Sequence, residues 1–390
     1  MARKAAAGTG TIRKKTVTRN GKEYTFWEAR YTSGYDPGTG RQIQRSISGK
    51  TQKEVARKLK EATAAIDAGT YAAPSKMTVS QWLDIWTTDY LKKIKPRTAE
   101  SYQIIVRNHL KPALGATRLD LLSPHTIQSF YNQLTDVKQL SPKTVKNIHG
   151  VLHKALQQAL RNKYIAFNPA EACELPRIEK AQIQPLDDDQ IRAFLHAIRG
   201  HRFEFLFLSV LFTGMREGEI LGLQWDRINF TKGTILIDTQ LQKVVGKKEY
   251  NLVSTKNGKG RSITPPPFVL STLKQVRRQQ LENQLRYGEC YTQSNFVFTN
   301  ELGQHLTAKQ VYDAFKKVAA QIGRPDARFH DLRHSYAVVS IKSGDDIKTV
   351  QENLGHATAA FTLDIYGHVT EQMKRESADR MERYIRAVNA

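Results

Sequence analysis

Two cysteines in 390 residues, Cys173 and Cys290, are too few for a disulfide framework and too far apart for a cysteine-rich metal knot. That usage fits a reducing compartment. No stretch approaches the ~18 uninterrupted apolar residues of a spanning helix. The basic start, Met1-Ala-Arg-Lys4, leads into no apolar segment of a secretory signal. Acidic residues are scarce beside basic ones: 37 Asp and Glu face 60 Lys and Arg, a formal net charge of +23. Apolar residues are not scarce. At 40% hydrophobic and 9% aromatic the chain can bury real cores, which excludes a wholly disordered protein. The expectation is a folded, cytoplasmic, cationic protein with no membrane segment, whose partner is a polyanion.

The charge is concentrated. Residues 1–60 hold 15 Lys and Arg against 4 Asp and Glu. Within them Gly10–Arg19, Glu23–Thr32 and Gln42–Ser48 read as short strands, the second rich in β-formers at period two. Asn20-Gly21 is a two-residue hairpin signal, and Tyr35-Asp-Pro-Gly-Thr-Gly40 is a second turn. A helix follows from about Gln52 to Asp67, with Val55, Leu59, Ala62 and Ile66 on one face. Three strands backed by one helix make a sheet expected to present Arg13, Lys15, Arg30, Arg41 and Arg45, and such a sheet can lie in a DNA major groove. A solvated basic surface is the plainer alternative.

After a linker at Tyr71-Ala-Ala-Pro-Ser75 the pattern becomes helical, with shared faces at Val79/Leu83/Trp86, Tyr102/Ile105/Val106/His109/Leu110, Ile127/Phe130/Tyr131/Leu134 and Val145/Ile148/Leu152/Ala155/Leu156. Thr78, Ser123-Pro124 and Ser141-Pro142 mark helix starts. Lys92, Lys93, Lys95 and Arg97 form a basic knot between the first two helices, and Lys143 and Lys146 open the fourth. Helix starts favour anions, so this domain could grip a phosphate backbone, or it could be a spacer. A charged connector from Pro176 to Pro185 follows.

Chemistry gathers in the remainder. An apolar helix, Phe203–Phe212, breaks at Thr213-Gly214, and the next opens on Met215-Arg216-Glu-Gly-Glu219, where Glu219 can hold the Arg216 guanidinium. Thr234–Leu241 and Tyr250–Thr255 read as strands, with Lys256 at the end of the second beside a Gly-rich turn before Arg261. In Arg328-Phe-His330-Asp-Leu-Arg333-His334, His330 and Arg333 share a helix face. His330 and His334 have the spacing of a zinc pair, but the intervening arginine and the missing glutamate of a zinc-hydrolase helix argue against a metal. Asp345-Asp346 caps a helix over Ile347–Leu354, Gly355 closes it, and His356 follows at once, with Tyr366 ten residues on.

Singly each residue has a structural explanation. Together, two arginines, two histidines, a lysine and a tyrosine suit one task. A phosphodiester attacked in line gathers charge on its non-bridging oxygens, which paired guanidiniums neutralise. A tyrosine hydroxyl, with a pKa of about 10, needs cationic neighbours and a base to become a nucleophile. The departing 5′-oxygen needs an acid, which an ammonium supplies. No acidic cluster is placed to hold magnesium, and no cofactor is implied.

The set Thr213-Gly-Met-Arg216-Glu-Gly-Glu219, Lys256, His330-Asp-Leu-Arg333-His334, Leu354-Gly-His356 and Tyr366 resembles the signature of tyrosine recombinases, the phage-integrase family. Residues 76–178 resemble that family's helical core-binding domain. Residues 1–70 resemble, in architecture and composition, the arm-type DNA-binding domain of integrases from conjugative transposons, also called integrative and conjugative elements. The implied fold is multidomain: a three-stranded sheet plus helix, an all-α domain, and a mostly α (α+β) catalytic domain over 181–390. The resemblance implies that Arg216 and Arg333 clamp the scissile phosphate, that His330 and His356 add hydrogen bonds and handle protons, that Lys256 protonates the 5′-hydroxyl, and that Tyr366 forms a 3′-phosphotyrosyl link, with no metal and no ATP. Glu219 would support Arg216. It further implies double-stranded DNA as partner at core and arm-type sites, a tetramer on DNA, accessory excisionase or host DNA-bending proteins, and a segment over Thr370–Val388 that packs on a neighbouring protomer or in cis.

Other motifs fail. Gly49-Lys50-Thr51 resembles the end of a phosphate-binding loop, but Gln44 stands where its first glycine belongs. Two classes stay open on residues alone: a DNA strand-transfer enzyme, or a non-catalytic DNA-binding regulator, which would have no use for the nucleophile. A type IB topoisomerase would share the chemistry without needing the N-terminal basic module.

Overall fold

The computed structural model describes residues 11–35, 38–68, 71, 76–179, 184–247, 249–255, 258, 260–356, 358, 363 and 370–388. The chain divides into two compact units, Met1–Glu179 and Lys180–Ala390.

The first unit contains two separate cores. In one, strands β1 (Thr11–Arg19), β2 (Lys22–Tyr35) and β3 (Gln42–Gly49) form an antiparallel meander. Asn20 and Gly21 have φ of 49° and 75°, the two left-handed residues of a primed turn whose twist matches the strands it joins. Helix α1 (Gln52–Asp67) starts at Thr51, whose side chain accepts from the Glu54 amide. It lays Val55, Leu59, Ala62 and Ile66 on Ala29, Tyr31 and Ile47.

Strand alternation then assigns every basic side chain a face. Arg13 opposes Glu28, Lys15 opposes Phe26, and Arg30 opposes Ser46, all turned away from α1. Arg45 instead opposes Tyr31 on the face that α1 covers, and its Nε is buried with no hydrogen-bond partner among the described residues. The expectation that one sheet surface presents Arg45 with the other arginines is therefore corrected: it stands one residue out of phase with them. Arg41 is exposed just ahead of β3.

The second core of this unit is helical: α2 (Val79–Ile85), α3 (Pro96–Ile105), α4 (Lys111–Leu114), α5 (Pro124–Asp136) and α6 (Pro142–Arg161). Thr78, Ser123 and Ser141 are the N-caps of α2, α5 and α6, each accepting from the amide three residues on. The expected apolar faces meet in one cluster. Trp82, which the periodicity did not single out, is fully buried there and donates its indole N–H to the Ala155 carbonyl at 2.9 Å. Lys93, Lys95, Arg97, Lys143 and Lys146 are exposed.

The second unit opens with α7 (Asp188–Ala197), α8 (Glu204–Thr213) and α9 (Glu217–Leu221). Helix α8 is apolar on every side and sits inside the core with Leu206, Phe207, Val210 and Leu211 all buried. The segment read as one strand over Thr234–Leu241 is two strands in different sheets. β5 (Thr234–Ile237) lies between β4 (Ile228–Asn229) and β8 (Arg261–Ile263), while β6 (Thr239–Lys243) pairs with β7 (Tyr250–Ser254). The break falls at Asp238, whose carboxylate accepts from Arg227 Nε at 3.2 Å and whose carbonyl accepts from the Thr255 amide at 3.2 Å. Helices α10 (Pro267–Tyr287), α11 (Ala308–Gln321), α12 (Phe329–Lys342), α13 (Ile347–Leu354) and α14 (Thr370–Val388) complete the unit. A small cluster, Ala337, Val338, Ile341, Val350 and Leu354, locks α12 to α13. No helix among the described residues is long and apolar enough to cross a membrane.

Candidate active site

Three chain breaks converge in the second unit: the α8–α9 junction, the start of α12 and the end of α13. Gly214 ends α8 with φ of 63°. A side chain there would be strained by that φ, and a Cβ would lie 2.4 Å from the Tyr336 ring and 2.7 Å from Leu354. Only a glycine lets the junction sit this close to α12 and α13.

Arg333, on α12, is 2% exposed. Its Nη1 donates to the Gly214 carbonyl and its Nη2 to the Leu354 carbonyl, both at 2.6 Å. Arg216 stands at the N-cap of α9, not within its first turn as the spacing suggested. Its amide donates to Glu219 Oε2 at 3.0 Å, its Nη1 to Oε1 at 2.7 Å, and its Nη2 to the Gly355 carbonyl at 3.0 Å. Glu219 is thus a reciprocal cap as well as a counter-ion, with its side chain 1% exposed.

Glu219 has a second partner that sequence reading missed. Arg261, first residue of β8, donates Nη1 to Oε1 at 3.0 Å and Nη2 to Oε2 at 2.7 Å. Its Nε reaches the Asn353 carbonyl at 2.7 Å. Burial pushes the Glu219 carboxyl up, but the Arg261 hydrogen bonds and the charges of Arg261 and Arg216 outweigh it and hold the group at about 2. In the sequence Arg261 was only the start of a strand; its proximity to a turn carrying Lys256 is the one cue it offers.

Three imidazoles complete the cluster. His330 and His334, one turn apart on α12, meet edge to face with centroids 4.9 Å apart. Removal from water, then the neighbouring His334 and the charges of Arg333, Arg216 and Arg328, push His330 down to about 4. Gly355 ends α13 with φ of 65° and delivers His356, whose amide donates to the Gln351 carbonyl at 3.1 Å. Burial, with Arg333, Arg216, His334 and His330 around it, holds His356 at about 3. His334 is likewise held at about 4, chiefly by burial. All three rings are neutral at pH 7, so each offers one donor and one acceptor nitrogen.

Arg216, Arg333, His330, His356 and Glu219 therefore come together. Lys256 and Tyr366 lie outside the described residues; the strand before the one is β7, and the stretch after the other leads into α14. The apolar Met381, Tyr384 and Ile385 of α14 are exposed. The assembled groups form a cluster of donors around two guanidiniums, suited to a tetrahedral anion with charge spread over several oxygens.

Comparison with known proteins agrees with that chemistry. The phage integrase family profile matches residues 184–373, and the profile of the phage integrase N-terminal SAM-like domain matches residues 78–135. A "Tyrosine recombinase XerC-like" protein of Caldanaerobacter subterraneus subsp. tengcongensis is 30% identical over 95% of this chain and 98% of its own length. The ICEBs1 integrase of Bacillus subtilis is 23% identical over 90% of this chain and 95% of its own. Among solved structures, a Tn1549 transposon integrase in complex with a circular intermediate DNA superposes with a TM-score of 0.67 at 21% identity, over 78% of this chain and 99% of that one. A lambda integrase tetramer bound to a Holliday junction gives 0.56 at 18% identity, over 94% and 97%. A near full-length relative at this identity and profiles matched over both the helical and the site-bearing regions place the chain, on its sequence as on its fold, in the phage integrase family of tyrosine recombinases.

Proposed function

We propose that this recombinase cuts and rejoins DNA at the ends of a mobile element of the conjugative-transposon kind, integrating and excising it through a 3′-phosphotyrosyl intermediate on Tyr366. The observation that carries the reading is the pair of guanidiniums, Arg216 and Arg333, tethered to neighbouring carbonyls of one turn with neutral His330 and His356 beside them. The Tyr366 oxygen attacks phosphorus and passes its proton to an imidazole, His330 or His356; the bond to the 5′-oxygen breaks; that oxygen takes a proton from Lys256. Arg216 and Arg333 neutralise the charge that builds on the non-bridging oxygens. Of these two imidazoles, both neutral before the step, one takes the phenol proton and the other donates to a phosphate oxygen. The phosphotyrosyl ester keeps the energy of the broken bond, so rejoining is the same step reversed.

Residues 181–390 act as the catalytic domain and 76–178 as the core-site-binding domain, with Lys93, Lys95, Arg97, Lys143 and Lys146 on phosphates. Residues 1–70 bind arm-type sites through Arg13, Lys15, Arg30 and Arg41. The enzyme works as a homotetramer on double-stranded DNA in the bacterial cytoplasm, with an excisionase or a host DNA-bending protein setting direction. The tetrameric lambda integrase on a Holliday junction supports the assembly state.

The test is a nicked duplex carrying the end sequence of the element that encodes the chain. Incubation should give a covalent adduct on a denaturing gel, mapped by peptide sequencing to Tyr366. Tyr366→Phe should bind the same duplex and form none. An adduct mapped elsewhere, or one formed by the Phe variant, overturns the assignment.

A further inference from the structure

We propose that Arg261 is a positioning residue whose task is to balance the buried charge of Glu219, so that Glu219 can hold the Arg216 guanidinium without neutralising it. The inference rests on the reading of Arg216 as a phosphate clamp.

Glu219 solves one problem and creates another. It fixes Arg216 by two hydrogen bonds, yet it sets a carboxylate, 1% exposed, directly behind the group meant to attract a phosphate. Out of water that negative charge is weakly screened, and a lone Arg216–Glu219 pair would present the DNA with no net charge. Arg261 supplies the missing positive charge through two parallel hydrogen bonds of 2.7 and 3.0 Å to the same carboxylate, the geometry that only a guanidinium offers. The trio carries a net positive charge, and Arg216 keeps its field.

Arg261 is also placed to set distances. Its side chain is 12% exposed and its Nε holds the Asn353 carbonyl at 2.7 Å, in the last turn of α13. Its aliphatic stem and Nη1 would lie 3.1 Å from a Cβ at position 355, so it packs beneath the glycine that delivers His356. One side chain thereby ties β8 to the Arg216 support and to the turn bearing His356.

The experiment measures single-turnover covalent capture of the nicked duplex, with DNA affinity by fluorescence anisotropy, for the full chain and four variants. Arg261→Met should slow capture about 10²-fold, the scale of losing one preorganised electrostatic group, with affinity changed less than about threefold. Arg261→Lys, which keeps the charge, should recover most of that rate. Glu219→Gln combined with Arg261→Met should capture about tenfold faster than Arg261→Met alone and melt at a higher temperature, because the unbalanced carboxylate is gone. If Arg261→Met proves too unstable to assay, the double variant set against Glu219→Gln alone decides: equal rates support the proposal, and a further tenfold loss overturns it. The proposal is also overturned if Arg261→Met captures at the wild-type rate, if Arg261→Lys is as slow as Arg261→Met, or if the losses at the two positions multiply. A wild-type chain that forms no adduct overturns the reading of the site as well; an active wild type with an indifferent Arg261→Met overturns this inference alone.

Discussion

Arg333 and Arg216 hold consecutive carbonyls of one turn: Nη2 of Arg333 binds Leu354 at 2.6 Å and Nη2 of Arg216 binds Gly355 at 3.0 Å. The end of α13 is thus a shared rail for both guanidiniums. Both terminal nitrogens of each guanidinium donate to the protein, to Gly214 and Leu354 from Arg333 and to Glu219 and Gly355 from Arg216, and those bonds fix where each guanidinium lies. Preorganisation of this kind costs nothing at the moment of reaction, which is why it lowers a barrier more than a mobile charge would.

Arg333→Lys should retain a positive charge and lose the geometry. An ammonium cannot serve the Gly214 and Leu354 carbonyls and a phosphate at once. Covalent capture should fall by roughly 10²–10³-fold, while the unfolding free energy drops by about 1–3 kcal/mol for the buried acceptor left unpaired. Capture kinetics and urea melts of the same preparation check both; a rate within threefold of wild type would refute the clamp.

Gly214→Ala should damage fold and site together. A left-handed φ costs ~1–2 kcal/mol for a residue with a Cβ, and contacts at 2.4 and 2.7 Å with Tyr336 and Leu354 add ~1–3 kcal/mol of overpacking. The expected loss of stability is about 2–5 kcal/mol, with capture reduced further because Arg333 hangs on the Gly214 carbonyl. Chemical denaturation measures it, and an unchanged midpoint would contradict the packing.

Stability should fall on acidification below about pH 6.5, where histidines of the unfolded chain take up protons. The sign follows from linkage: His330, His334 and His356 are held at about 4, 4 and 3, so between pH 6.5 and those values the unfolded state binds more protons and stability rises with pH. Above pH 6.5 these rings contribute no slope. Urea midpoints from pH 4 to 8 test this, and nitrogen chemical shifts should show all three neutral at pH 6. A ring half-protonated near pH 6.5 would show that it is not shielded as described.

In the N-terminal sheet, Arg13→Ala, Lys15→Ala and Arg30→Ala should each weaken DNA binding and reduce the salt slope by about one ion. All three surround Glu28 on the open face, at 2.9, 3.3 and 3.9 Å. Arg45→Ala should leave the slope unchanged, because its register faces Tyr31 under α1. Anisotropy titrations at several salt concentrations separate the two outcomes.

The strands and helices of the first unit were legible because their signals are local. Asn20-Gly21 dictates its own turn, Thr78, Ser123 and Ser141 cap their own helices, and the apolar period marks each buried face. The face of Arg45 was not legible, since it depends on pairing with Tyr31, and a register is a relation between two strands. The break at Asp238 escaped notice for a similar reason: its ligands, Arg227 and Thr255, lie on other segments.

The sequence by itself determined the chemistry available to this protein: its excess of positive charge, its helix ends, and the residue types of the site together with the order in which the chain delivers them. Tertiary structure alone decided how those groups are charged and held. The lowered basicity of the three histidines follows from desolvation among guanidiniums, with His334 buried, His356 half-buried and His330 open at the surface, and the partnership of Arg261 with Glu219 joins residues 42 positions apart. Charge state and hydrogen-bond partner are properties of a surrounding, and a surrounding exists only once distant segments have packed together.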